Sequence, residues 1–145
     1  MIADLWLDWN NEALAEWNTV TATSWRLALP WPPSVNHYWQ HGLRGVWLSK
    51  RARVYRQNVQ MLALMQRGWH GLPGPWPLRG ELEVKIFARP PDRHKRDLDN
   101  LAKALLDSLC HAGVMEDDSQ ISSYAIRRLE PGKPGMIALE ITSWQ

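Results

Sequence analysis

Ile2, Leu5, Trp6, Trp9, Ala13 and Trp17 recur at spacings of three or four, with Asp4, Asp8, Glu12 and Glu16 opposite them. The chain therefore opens on a predicted amphipathic helix over residues 2–17. The period then changes. "SWRLALP" (24–30) alternates as a short strand does and runs into the turn-forming "PWPPS". From Ser49 to about Trp69 a helical period returns, with Ser49 as its cap and Val54, Val59, Leu62 and Met65 near one face. "HGLPGPWPLRG" is a connector. "ELEVKIFARP" (81–90) sets Leu82, Val84, Ile86 and Ala88 against charges and predicts a half-buried strand. Residues 97 to about 112 form a second helix, with Leu98, Leu101, Ala102, Leu105, Leu109 and Ala112 on one face and Gly113 as its stop. "QISSYAIRRLE" and "GMIALEITSW", joined by "PGKPG", predict an antiparallel hairpin.

This order gives an α+β chain: a small mixed β-sheet with two core helices (β-α-β-α-β-β) plus an extra N-terminal amphipathic helix. Its 145 residues suit one domain, 1–145, with residues 1–23 as an N-terminal extension. With 45% apolar residues the chain can bury a real core, so a disordered tail is excluded. No apolar run approaches the roughly 20 residues that span a bilayer. Acidic residues stand where a signal peptide carries basic ones, so a cytoplasmic location is expected. A single cysteine, Cys110, excludes an internal disulfide and a clustered thiolate zinc site. The histidines at 37, 41, 70, 94 and 111 have no spacing that suits zinc or a nucleophilic triad. The net charge of +2 is too small to imply a polyanionic partner, so the local distribution of charge has to carry that question.

One stretch concentrates it. "KRDLDNLAKALLD" (95–107) closes the basic run "RHKR" (93–96) and places Asp97 and Asp99 at a helix start, with Lys103 four residues beyond Asp99. Glu116, Asp117 and Asp118 follow in "MEDDSQ". A purely structural reading makes Asp97 an N-cap and Asp99–Lys103 an i, i+4 pair contributing a few tenths of ~1 kcal/mol. It leaves "RHKR" unexplained, because cationic side chains at the positive end of a helix repel it and one another. They require an anion, which either aspartates or a phosphate chain can supply. A phosphodiester lying there would be repelled by the carboxylates unless a hard cation sat between them, and Mg²⁺ takes one or two carboxylates, waters and a phosphate. Lys103 would then offset charge on the phosphoryl group, which makes the constellation nuclease-like.

"LPWPPSVNHYW", "RPPDRHKRDLDNLAKALLDSL" and "AGVMEDDSQI", in this order and spacing, resemble the RusA family of Holliday junction resolvases, over about Leu27 to Glu140. The resemblance implies a Mg²⁺-dependent endonuclease, with Mn²⁺ as a substitute, that acts as a homodimer and cuts four-way junction DNA with paired symmetrical nicks. It implies no membrane partner and no nucleotide cofactor. Position by position, it places the family's essential aspartates on Asp97, Asp99 and Asp118, its important lysine on Lys103 and a companion acid on Asp117. Arg96 falls on a basic residue of the DNA-binding segment, continued by Arg93, His94 and Lys95, and Asn36 falls on a plausible wall of the site. Two other readings of the chain stand beside this one: a nuclease of broader branched-DNA range, acting on flaps and forks, and a junction-binding dimer without catalysis. The 23 residues ahead of the first strand depart from the family pattern. Asp107 is expected to lie beyond a metal held by Asp99, and Lys50, Arg51, Arg53 and Arg56 form a basic helix face. The helix rises about 20 Å from Asp99 to Ala112, and six extended residues recover about the same length. Asp118 therefore either returns on a taut connection or completes the acid cluster of another subunit.

Overall fold

The computed structural model describes residues 24–69 and 75–144, so the helix expected over 2–17 lies outside the described residues. The elements are β1 (Ser24–Pro30), a short 3-10 turn (Val35–His37), β2 (Trp39–Gly42), β3 (Gly45–Leu48), α1 (Lys50–Trp69), β4 (Glu81–Arg89), α2 (Leu98–His111), a second 3-10 turn (Asp118–Gln120), β5 (Ile121–Arg128) and β6 (Met136–Trp144). Four strands make one mixed sheet in the order β1-β6-β4-β5, and β2 pairs with β3 in a separate ribbon. Among the described residues no helix is long and apolar enough to cross a membrane.

The expected hairpin between the last two strands does not form. β6 lies antiparallel between β1 and β4, while β5 pairs parallel with β4 on the opposite side. Burial explains the order. Met136 through Ile141 are all buried, as a central strand requires, whereas β5 is exposed at most positions and suits an edge. The connection between them is tied to the end of β4, where the Leu129 N–H donates to the Ala88 carbonyl at 2.8 Å and the Gly132 N–H to the Pro90 carbonyl at 2.9 Å. The turn chemistry of "PGKPG" is real, but it carries the chain past β4 instead of folding β6 back on β5.

α1 starts as expected, with the Ala52 N–H donating to Ser49 Oγ at 3.1 Å. Its inner face differs. Ala52, Tyr55, Val59, Ala63 and Gln66 are buried, whereas Val54 and Met65 are exposed. The helix is rotated toward a polar residue. The Ala28 N–H donates to Gln66 Oε1, and Gln66 Nε2 donates to the Ala28 carbonyl, both at 2.7 Å. Gln66 thus satisfies the outer edge of β1. An apolar count cannot anticipate a buried glutamine.

α2 forms the βαβ crossover between β4 and β5, and its Leu101, Leu105 and Leu109 share one cluster with Leu27, Leu82, Val84, Ile86, Leu139 and Ile141 of the sheet. It ends at Gly113, with φ of 77°. The Gly113 N–H donates to the Cys110 carbonyl and the Val114 N–H to the Leu109 carbonyl, at 3.0 and 3.1 Å. This stop turns the chain sharply toward Asp117 and Asp118. The β2–β3 ribbon is exposed along nearly its whole length, so no core-facing alternation announces it in the sequence.

Candidate functional site

Asp97 occupies the N-cap position of α2 with extended backbone (φ −87°, ψ 130°), yet its side chain makes no capping hydrogen bond. Asp99 and Lys103 are exposed on the next turns, and among the described residues neither forms an ion pair. The structural reading therefore accounts for none of these three side chains. Their charges face solvent.

The basic run ahead of them is partly satisfied by a residue that sequence reasoning passed over. Asp92 accepts from Arg96 Nη1 at 2.6 Å, lies 2.7 Å from His94 Nδ1 and accepts the His94 N–H at 2.9 Å. The Arg96 hydrogen bond, then the His94 N–H, hold the Asp92 carboxyl well below the usual carboxylate range. Arg96 also lies over the Trp31 ring at 5.7 Å, and Arg93 pairs with Glu130 at 3.5 Å on the surface. Lys95 is exposed without a partner among the described residues. Asp92 and Arg96 lie in non-helical backbone, so no helical spacing announces the pair.

These residues border two grooves with Asp97 between them. One, of about 440 Å³, is lined by Trp31, Asn36, Arg51, Lys95, Arg96 and Asp97. The other, of about 300 Å³, is lined by Arg93, His94, Arg96, Asp97 and Arg128 among others. The fold thus brings Asn36 to Lys95 and Arg96 across one groove and sends Arg93 and His94 to the other.

The second acidic element has a division of labour. Ser119 Oγ donates to Asp117 Oδ2 at 2.5 Å, which lowers the Asp117 carboxyl, and Gln120 Oε1 accepts the Glu116 and Asp117 N–H groups at 2.8 and 3.1 Å. Gln120 Nε2 anchors this turn to the Leu78 carbonyl at 2.9 Å. Asp117 holds the turn, while Asp118 is exposed and lines a pocket of about 90 Å³ with Tyr38, Trp39, Lys103, Ala104 and Asp107. Asp118 thus returns to the level of Lys103 and Asp107 on α2. Among the described residues no three His, Cys, Asp or Glu side chains gather closely enough to hold a metal.

Asp107 also lines this pocket with Asp118. Arg56 Nη2 donates to Asp107 Oδ2 at 2.5 Å and Tyr38 Oη donates to the same oxygen at 2.9 Å. Arg56 Nε donates to Tyr38 Oη at 3.2 Å, and Ser108 Oγ lies 3.3 Å from that hydroxyl. Burial, before any partner, raises the Tyr38 phenol above its ordinary value, so it remains a neutral donor. Arg56 is drawn inward by this brace and leaves Lys50, Arg51 and Arg53 as the exposed basic face of α1. The spacing alone puts Asp107 on the helix face of Asp99 and Lys103, four residues beyond Lys103, but does not give the partners that meet it there.

The chemistry of the donors fits a hard divalent cation. Asp97, Asp99 and Asp118 offer carboxylate oxygens to solvent, and Mg²⁺ completes an oxygen set of this kind with waters and phosphate oxygens.

The profile of a family described as "Endodeoxyribonuclease RusA" matches residues 30–142. A protein of Enterobacteria phage 82 named "Crossover junction endodeoxyribonuclease rusA" is 35% identical over 119 residues, 82% of this chain and 94% of that protein. The protein of Escherichia coli strain K12 named "Crossover junction endodeoxyribonuclease RusA" gives the same figures. Its namesake from Enterobacteria phage HK97 is 35% identical over 118 residues, covering 81% of this chain and 93% of the phage protein. Both acidic elements fall inside the family match.

Proposed function

The chain belongs to the RusA endodeoxyribonuclease family, and from that premise we propose that it resolves four-way DNA junctions by paired, Mg²⁺-dependent phosphodiester hydrolysis. The observation that carries this is that the Asp97 and Asp99 carboxylates have no hydrogen-bond or ion-pair partner among the described residues and stand exposed at and beside grooves lined with lysine and arginine. Carboxylates next to a phosphate track are repulsive on their own, so a strand bound there calls for a cation between them.

Asp97, Asp99 and Asp118 are the residues that would hold the ion, with Asp117 shaping the turn that presents Asp118. When bound, the ion supplies Lewis-acid polarisation of the phosphoryl oxygen and a more acidic water. Lys103 brings a positive charge to the phosphoryl oxygens or the leaving oxygen from its position beside Asp118 and Asp107. Asn36, Lys95 and Arg51 orient the strand through phosphate contacts, while Arg93 and His94 border the groove on the far side of Asp97.

Two cuts of like polarity in a near-symmetric junction suit two sites related by a two-fold axis, so the working form is a homodimer. That Asp97, Asp99 and Asp118 form no metal-holding group among the described residues of one copy favours a site in which one copy supplies Asp97 and Asp99 and the other supplies Asp118. Mixed dimers of Asp99→Asn and Asp118→Asn subunits test this directly. A shared site leaves one centre intact and one doubly damaged, whereas sites confined to single chains leave none intact.

The decisive experiment incubates the protein with labelled four-way junctions, flaps and forks, in Mg²⁺ or EDTA. Paired nicks in the junction alone, lost in EDTA and in Asp99→Asn with binding retained, support the proposal. Equal cutting of flaps and forks supports the broader nuclease, and binding without cutting supports a junction-binding dimer.

A further inference from the structure

The β2–β3 ribbon has no role in the chemistry above, yet its composition is unlike the rest of the surface. Leu43 at its tip is fully exposed, and Trp39, Val46 and Trp47 are exposed along its strands. Its charges are all of one sign. Residues 17–80 contain no Asp or Glu, so the ribbon carries Arg44 with His41 and leads directly into Lys50, Arg51 and Arg53 of α1.

The ribbon is also braced. The Trp47 ring lies across Gly42, where a Cβ would stand 2.6 Å from its Cη2 atom, and Trp47 Nε1 donates to Gln40 Oε1 at 2.9 Å. Gly45 takes φ of 114°, which closes the turn in a conformation that side chains disfavour. At its base Trp39 packs edge-on to Tyr38, with ring centroids 5.8 Å apart, and reaches the pocket of Lys103 and Asp118. A rigid apolar tip therefore stands at the end of a cationic ribbon whose root is the candidate site itself.

We infer that the ribbon is a wedge for DNA: Leu43 enters the stack at the branch point of the junction, and Trp47 offers its ring to a base displaced there. The inference rests on the junction-cleaving reading above and adds to it the residues that open the branch. Apolar side chains inserted between base steps unstack and kink a duplex, and aromatic faces receive the freed bases. Charge decides between DNA and a second copy of the chain as the occupant. A two-fold contact places a patch against itself, and a patch with Arg44, His41 and no acid would meet its own charge, whereas phosphates compensate it. The exposed, uncharged stripe of Met61, Leu64 and Met65 on α1 is a better surface for self-association.

The test uses the full-length protein in EDTA and a four-way junction carrying 2-aminopurine at the branch, with a linear duplex as control. Wild-type binding is expected to raise the emission of the unstacked base. Leu43→Ala is expected to abolish that rise and weaken junction binding about tenfold while leaving duplex binding within about twofold, since a stacking or wedge contact accounts for roughly that factor. Leu43 is fully exposed, so the variant folds, and Trp47→Ala provides a second variant whose melting is checked in parallel. An unchanged emission rise in Leu43→Ala overturns the wedge while leaving junction cleavage standing. A shift of Leu43→Ala from dimer to monomer in sedimentation also overturns it, by assigning the ribbon to a second copy. Failure of the wild type to bind the junction removes both readings.

Discussion

Asp97 offers the sharpest division between a residue that builds the helix and a residue kept for chemistry. Replacing a capping Asp by Ala typically costs about 0.5–2 kcal/mol, whereas Asn in its place preserves the cap. Here the side chain makes no capping bond, so that term is absent. What remains is the favourable field of the helix N-terminus, about 0.3–1 kcal/mol at low ionic strength and less once the Debye length falls to about 3 Å in 1 M salt. Asp97→Ala and Asp97→Asn should therefore melt alike in high salt, within about 0.5 kcal/mol of wild type, or about 1–2 °C for a domain of this size. In EDTA, removal of a negative charge beside a phosphate track should tighten junction binding about two- to threefold, from a screened Coulomb term of about 0.5 kcal/mol. Cleavage should fall by at least about 100-fold in both variants, the scale on which a group that stabilises developing charge acts. Calorimetry, fluorescence-detected binding and single-turnover cleavage measure the three quantities. A melting drop of about 4 °C or more confined to Asp97→Ala, with cleavage reduced only in proportion, would show that the residue is a cap.

Other expectations follow from the same geometry. Arg56→Ala removes a partner from a half-buried Asp107, and with Arg56 only 16% exposed and Asp107 40% exposed the cost should lie near 1–2 kcal/mol, read as a melting drop of about 3–6 °C. Tyr38→Phe should cost about 1 kcal/mol, and the double variant should fall short of the sum because all three groups share one network. Asp92 has a folded pKa below its unfolded value of about 3.9, so its contribution is complete above that value and is lost as pH falls through the folded one. The melting gap between wild type and Asp92→Asn should therefore be constant above about pH 5 and close in more acidic buffer. Cys110 is pushed up to about 11, chiefly by burial and then by Asp118 and Asp117, so alkylation at pH 8 should be far slower than for a free thiol. Leu64→Glu on the exposed stripe of α1 should shift the protein toward monomer in sedimentation without lowering its melting temperature.

Local periodicity and capping were legible directly. Ser49 and Gly113 bound their helices as their side-chain chemistry dictates, and the alternation of Leu82, Val84 and Ile86 marked a sheet strand. The long-range pairing was not. The turn residues of "PGKPG" say that the chain reverses, but not which strand it meets, because β6 gains more burial between β1 and β4 than beside the polar β5. The near-continuous apolar run of β6 was the available sign of a central strand. The face of α1 was misjudged for a related reason, since Gln66 is buried by two hydrogen bonds to Ala28 that a hydrophobicity pattern cannot register.

The candidate site divides in the same way. Which residue types sit at the head of α2, and that a phosphodiester lying there would need a cation beside the carboxylates, follows from the order of side chains alone, because neighbours within one helical turn are set by the chain's own geometry. Which of those charges are already satisfied was decided only in three dimensions. Asp92 answers Arg96 and His94, Arg56 answers Asp107, and Asp97, Asp99, Lys103 and Lys95 are left to solvent. The meeting of Asp118 with Lys103 and Asp107, and the ribbon that stands over them, depend on contacts between residues far apart in the chain, and only packing around a common core brings such residues together.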